Sequence, residues 1–236
     1  MAGRFLIDPA FAGIFPEFEI GVILARGLDN RKRDGQDFGP LLAGGVAAAR
    51  THLAQPEFAA NPVIAGWRDA FRRFRTRKGV RSSLEALLKR ISNGHQVGSI
   101  NPLVDLYNFI SMNYALPCGG EDLAALEGDL RLTVAAGGEP FLPLGAETDE
   151  PALAGEVIYR DDLGAVCRCF NWREAQRTML TERTTDAILV MEAVDRNRTA
   201  ELEAALEDLA GLIRGQLGGS TTLHRLHGGA AAGPAW

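Results

Sequence analysis

Hydrophobic positions change their period several times along the chain, and each change marks an element. Phe18-Glu-Ile-Gly-Val-Ile-Leu-Ala-Arg-Gly-Leu is β-rich and predicts a strand over about 18–26, ended by the turn formers Gly27, Asp29 and Asn30. A helix follows from Phe38 or Leu41 to Leu53 and stops before Pro56, with Gly44-Gly45 as its weak point. Residues 56–75 are expected to be helical again. Trp67, Phe71 and Phe74, spaced four and three apart, form the core face rather than a base-stacking one. Ser82-Ser83-Leu84-Glu85 is a capping box that starts a helix over Leu84 to Ile91, and Asn93-Gly94 ends it.

Asn101-Pro102 opens the next helix, because Asn can accept a bond from a first-turn N–H while Pro supplies the right φ and lacks a donor. This helix is apolar nearly all round, yet Asn101, Asp105, Asn108 and Met112 fall on one stripe. Buried Asp and Asn cost roughly 2–7 kcal/mol unless hydrogen-bonded, so the stripe either holds a loop or faces a ligand.

Downstream, Glu121-Asp-Leu-Ala-Ala-Leu predicts a short helical turn, and Leu130, Leu132 and Val134 alternate with less apolar residues as in a half-buried strand. Residues 155–171 contain two strands joined by the tight turn Asp161-Asp162-Leu163-Gly164. A further strand is expected at Ala187-Ile-Leu-Val-Met-Glu-Ala-Val. Leu202, Leu206, Leu209, Ile213 and Leu217 make an amphipathic helix over about 198–217. The Gly- and Ala-rich tail from Gly218 to Trp236 is expected to be disordered. The elements imply an α+β fold, mixed β-sheets flanked by helices, with an N-terminal strand-helix extension and a C-terminal amphipathic helix. Residues 1–217 are expected to form a single domain.

Composition adds a polarity to this picture. The net charge is −5, which argues against nucleic acid, yet nine basic residues lie between Arg68 and Arg90 against only Asp69 and Glu85. Such a segment on an acidic body suits the steering of one polyanion; alternatively its arginines pair with acids elsewhere. No apolar run approaches the ~18 residues of a membrane helix, and the N-terminus has no signal-peptide pattern, so a cytoplasmic protein with no membrane partner is expected. Cys118, Cys167 and Cys169 lack zinc or thioredoxin spacing and are expected to be reduced core thiols. His224 and His227 form only a His-x-x-His pair, and no triad, P-loop or dinucleotide pattern occurs, so neither metal nor cofactor is expected.

The polar run Asn171 to Asp186, lying between strands, and Glu156 at a strand start are where pocket chemistry could sit; for each residue the plain alternative is a solvated loop or local ion pair. Arg81-Ser-Ser-Leu-Glu-Ala-Leu-Leu-Lys-Arg, Ile100-Asn-Pro-Leu-Val-Asp-Leu-Tyr-Asn, Pro117-Cys-Gly-Gly-Glu-Asp-Leu, Gly155-Glu-Val-Ile-Tyr and Asn171-Trp-Arg-Glu, in that order, resemble the B3/B4 domain. That is the tRNA-editing domain of the phenylalanyl-tRNA synthetase β subunit, which also occurs free-standing, and the resemblance covers about residues 60–195. It implies a trans-editing hydrolase that deacylates mischarged aminoacyl-tRNA through a positioned water. The alternative is a non-catalytic module that binds an amino acid, nucleotide or RNA on the same scaffold.

By position, the resemblance matches Asn101, Asp105 and Asn108 to the family's Asn-Pro-x-Val-Asp-x-x-Asn helix and Glu156 to a Gly-Glu strand start, which implies substrate-binding or pocket-wall roles. Asn171 to Glu174 fall where the synthetase has a Gly-Gly-Glu-type loop. This makes Glu174 the candidate substrate-contacting acid, with Asn171 and Arg173 orienting water or ribose. Asn-Trp-Arg replaces the glycines there, so tyrosine need not be the rejected amino acid. Arg72, Arg73, Arg75, Arg77, Lys78 and Arg81 are the expected tRNA handle, and the pocket is expected between the 101–112 helix and the 171–186 loop.

Overall fold

The computed structural model describes residues 3–236. In chain order the elements are β1 (Arg4–Ile7), α1 (Pro9–Ile14), β2 (Glu19–Arg26), α2 (Gly39–Thr51), α3 (Pro62–Phe71), α4 (Ser83–Ser92), α5 (Pro102–Tyr114), β3 (Cys118–Asp122), β4 (Leu130–Val134), β5 (Val157–Arg160), β6 (Ala165–Arg168), β7 (Arg173–Glu174), β8 (Ala187–Ala193), α6 (Thr199–Leu217), β9 (Ser220–His227) and β10 (Ala232–Ala235). They form a six-stranded sheet ordered β10-β1-β4-β5-β6-β7 and a four-stranded sheet ordered β3-β8-β2-β9. Among the described residues only β1 and β4 pair in parallel, so the expected α+β class with mixed sheets and flanking helices holds.

β2 is buried along nearly its whole length because both faces of the four-stranded sheet are covered. One face, with Ile23, Leu189 and Met191, packs on α5 and α6 through Leu103, Leu106, Ile110, Leu206 and Ile213. The approach of α6 is close: a Cβ on Gly21 would lie 2.6 Å from Leu206, so this strand position admits little beyond glycine. The other face presents Ile20, Val22, Ile188 and Val190 to a core shared with Leu130, Leu132, Tyr159 and Cys167 of the six-stranded sheet. Aromatic rings of α1 and α3 fill this core, and Trp67, Phe71 and Phe74 belong to it, as their spacing predicts.

The helix predicted over 56–75 is shorter than expected. A 3-10 turn at Phe58–Ala60 precedes α3, and the chain leaves the helix after Phe71. The short helical turn expected from Glu121 begins later, at Leu123–Ala125, because Glu121 and Asp122 finish β3. The expectation of a disordered tail is corrected: Ser220–His227 pairs residue by residue with β2, from Ser220 opposite Arg26 to His227 opposite Glu19. Without β9 the buried strand β2 would expose an open edge, and satisfying that edge outweighs the low apolar content of the tail.

Candidate functional site

A pocket lies between the two sheets, lined by Ser83 of α4, Gly119, Gly120 and Glu121 of β3, Leu130, Tyr159, Cys167, Phe170, Asn171, Glu174, and Val190 and Glu192 of β8, among others. Its cavity is about 30 Å³, room for roughly two waters. Register explains how the side chains converge. Tyr159 stands opposite Cys167, and Cys167 opposite Glu174, so all three share the inner face of the six-stranded sheet. On the facing sheet Gly119 pairs with Val190 and Glu121 with Ile188, and Glu192 follows two residues beyond Val190 on the same face.

Glycine at 119 leaves the space that the acid occupies: a Cβ there would come within 2.8 Å of Glu174 Oε1. The backbone leading into Asn171 is strained, since Cys169 and Phe170 have φ of 47° and 65°, a left-handed conformation costing of order 1–3 kcal/mol each. Phe170 N–H bonds to Val157 O at 2.6 Å, and the Phe170 ring packs on Phe11, Phe15 and Trp67.

Glu192, 3% exposed, accepts from Tyr159 Oη at 2.8 Å and from Asn171 Nδ2 at 3.1 Å. Burial nevertheless pushes its carboxyl up to about 8. Glu121, 5% exposed, is raised well above the carboxylate range, by burial first and then by the charge of Glu174. Burial also raises Glu174. Oε2 of both Glu121 and Glu174 is sealed from solvent without a hydrogen-bond partner. Burial pushes the Cys118 and Cys167 thiols far up, so neither is a thiolate nucleophile at neutral pH. All three cysteines are free and buried. Among the described residues no three His, Cys, Asp or Glu side chains are arranged as a metal-ligand set.

Of the residues singled out from sequence, Glu174 and Asn171 line this pocket; Arg173, Glu156, Asn101, Asp105 and Asn108 do not. Arg173 precedes Glu174 on a strand, so it points to the opposite face, where it meets Glu150 at 3.7 Å. Both oxygens of Glu156 are taken by Arg168, at 2.8 and 2.7 Å, and the pair is sealed at 0% and 1% exposure. It is therefore a structural ion pair, not a substrate ligand.

The polar stripe on α5 is scaffold. Asn101 Oδ1 accepts from Val104 N–H as the N-cap and from Asn30 Nδ2, both at 3.1 Å, and its Nδ2 donates to Leu180 O at 3.2 Å. Asn30 in turn donates to Thr181 O at 2.8 Å and accepts from Leu103 N–H at 2.7 Å. Asp105 accepts from Ile100 N–H at 2.8 Å and from Ser99 Oγ. The pocket expected between α5 and the 171–186 loop is replaced by the one between the sheets, because these amides bond the loop directly onto the helix start. Replacing Asn30 with Ala is expected to cost roughly 1–3 kcal/mol in urea unfolding, since it orphans the buried Leu103 N–H.

Sequence reasoning missed Glu121, Glu192 and Tyr159. Glu192 had a signal, one charged residue in the otherwise apolar buried strand Ala187–Ala193. Glu121 ends this chain's own Gly119-Gly120-Glu121, whereas the Gly-Gly-Glu correspondence was sought at 171–174.

The basic segment divides. Arg68 bonds Glu85 at 2.7 Å, Arg72 pairs with Asp69, and Arg77 pairs with Glu150 over the Trp172 ring. Arg73 lies over Phe15, and Arg75 Nη1 reaches Ala154 O at 3.4 Å. Lys78 and Arg81 are exposed and join none of the ion pairs among the described residues. An open groove beside α4 is lined by Arg68, Arg72, Thr76, Gly79 and Arg81, with Glu85 as its one acid, and of its three arginines Arg68 and Arg72 are already paired.

This arrangement, a carboxylate-lined pocket between two sheets with a basic groove at its side, coincides with a family assignment. The B3/4 domain matches residues 66–210, and the chain belongs to that family. No curated protein matches it. Among solved structures, an N-terminal fragment of the phenylalanyl-tRNA synthetase β-subunit from Pyrococcus horikoshii is similar, with 10% identity and a TM-score of 0.49 over 94% of this chain. The chain spans 54% of that fragment's length. No helix among the described residues is long and apolar enough to cross a membrane.

Proposed function

We propose that the protein is a deacylase of mischarged aminoacyl-tRNA, with the pocket between the sheets receiving the aminoacyl group. The observation that carries this reading is the adjacency of two unlike surfaces. Ser83 lines the acidic pocket, while Arg81, two residues earlier, lines the basic groove. Carboxylates suit the ammonium of an aminoacyl ester, and a basic groove suits the phosphates that lead to it.

The ester is already activated, so hydrolysis needs a placed water and a stabilised oxyanion more than a nucleophilic side chain. Water oxygen bonds to the ester carbonyl carbon, the bond from that carbon to the ribose oxygen breaks, and the proton passes to the ribose oxygen, leaving free amino acid and tRNA. Glu192 holds the substrate α-ammonium, and Glu174 faces the rest of the aminoacyl group. Asn171, joined to Glu192 and to Ser83 N–H, orients the water or the terminal ribose. Arg173 acts only from the outer face, through Trp172 and Glu150.

The test is release of amino acid from a panel of mischarged tRNAs by the intact protein. No release above buffer from any member would sink the enzymatic reading, and saturable amino-acid binding without release would favour a binding module. For the basic segment, Lys78→Ala with Arg81→Ala is expected to weaken tRNA binding and flatten its salt dependence, by roughly 0.7–0.9 in slope for each phosphate no longer neutralised. Unchanged filter-binding affinity across salt would remove these two residues from the tRNA handle. Smaller effects are expected from Arg72 and Arg77, whose charges are already paired.

A further inference from the structure

The pocket holds more acid than one ammonium group requires, and the acids are strung out rather than gathered. Glu192 N–H reaches Pro117 O across the β3–β8 pair; Glu174 Oε1 sits over Gly119, and Glu121 lies two residues further along β3. Glu192 stands at one end of this row, and at the other end the Glu174 and Glu121 carboxyls meet each other. Such a row does not fit a single metal ion, which needs its ligands to converge.

The two ends of the row differ. Glu192 already accepts from Tyr159 and Asn171, on the side where Ser83 and the basic groove lie. At the far end Glu121 and Glu174 each bury an oxygen with no donor, and no cation among the described residues fills the gap. Arg177, whose charge acts on Glu121, is committed to Asp161 at 2.7 Å. Between the ends the walls are Val190, Leu130 and Phe170. A cavity of about 30 Å³ receives a slender aliphatic chain with far less displacement than an aromatic ring.

We propose that the pocket selects an aminoacyl group with an aliphatic side chain ending in a primary ammonium, its α-ammonium at Glu192 and its terminal ammonium at the Glu121–Glu174 pair. The inference rests on the reading above for the identity of the pocket as an aminoacyl site. Burial shifts all three carboxyls upward, and bound ammonium stabilises their ionised forms, so binding at neutral pH releases protons, that of Glu192 first. The other titratable groups facing the row are Tyr107 of α5, Cys118 of β3, Tyr159 of β5 and Cys167 of β6. Burial raises all four, which keeps them protonated and silent at pH 7.

Calorimetry on the full chain with L-lysinamide and L-norleucinamide, which differ by the terminal ammonium, separates this from a merely apolar pocket. Lysinamide is expected to bind about 10- to 100-fold tighter, with an apparent enthalpy that shifts between phosphate and Tris as protons are released. Glu121→Gln and, separately, Glu174→Gln, each checked for native circular dichroism, are expected to remove that preference. Equal affinity for the two amides, no binding of either, or a preference that survives in a folded variant would overturn the inference. Preference for lysinamide without turnover of any mischarged tRNA would remove the deacylase and keep the receptor. Turnover without the preference would do the reverse.

Discussion

Replacing Glu156 with alanine is expected to destabilise the protein by roughly 3–5 kcal/mol, the cost of leaving a buried charge without its partner. Arg168 is 1% exposed, and Glu156 supplies two of its charge-assisted hydrogen bonds. What remains is Glu150 O at 2.6 Å and the face of Phe141, whose ring centre lies 5.6 Å from the guanidinium carbon. Neither neutralises the guanidinium. A double change, Glu156→Leu with Arg168→Met, is expected to recover most of the loss, because removing both charges also removes their desolvation cost. Chemical denaturation of the two variants decides the matter. A loss below about 1 kcal/mol for Glu156→Ala would mean that water reaches Arg168, and the pair would no longer count as a sealed structural bridge. Soluble Glu156→Ala protein is expected to keep its pocket, since Glu156 lies outside it.

Stability is expected to fall as pH rises from about 4.5 to about 8, with Glu192 as a principal cause. In the unfolded chain this carboxyl loses its proton near the ordinary value of 4.5, whereas in the folded chain it keeps the proton until about 8. The folded state therefore binds more protons in that window, and each pH unit costs about 1.4 kcal/mol for a group so placed. Glu121 and Glu174, raised by the same burial, act in the same direction. Glu192→Gln is expected to match the wild type near pH 4.5 and to exceed it by a few kcal/mol at pH 8 and above. The new side chain keeps its Oε1 toward Asn171 Nδ2 as acceptor and turns its Nε2 toward Tyr159 Oη, which can accept. Melting curves across pH measure this directly, and parallel wild-type and variant profiles would refute it.

Local signals carried much of the architecture. The capping box at Ser82 is real, with Ser82 Oγ accepting from Glu85 N–H at 3.1 Å, and Asn101 caps α5 as its sequence demands. The 161–164 turn joins β5 to β6, and α6 runs along its predicted leucines. These features depend on neighbours within one turn or one hairpin, so the chain displays them in order.

The site was legible only in part. Glu174, Asn171 and Arg173 stood out through the family resemblance, in a polar run between strands, but β7 divides that run by alternation, sending Glu174 inward and Arg173 outward. A strand of two residues leaves too short a pattern to read that division beforehand. The polar stripe on α5 announced that Asn101 and Asp105 must be bonded, yet the partners of Asn101, namely Asn30 and the Leu180 carbonyl, lie 71 and 79 residues away.

Taken alone, the amino-acid sequence determined the starts of α4 and α5, the central strands, the aromatic core face of α3 and the family resemblance, because caps, periods and motifs are local. Tertiary structure alone decided the rest. It drew the tail onto the edge of β2, sealed Glu156 against Arg168, and set Glu121, Glu174 and Glu192 from three separate strands into one row. A buried carboxyl acquires its meaning from the register of strands far apart in sequence, and that register is set by the packing of two sheets rather than by any one stretch of the chain.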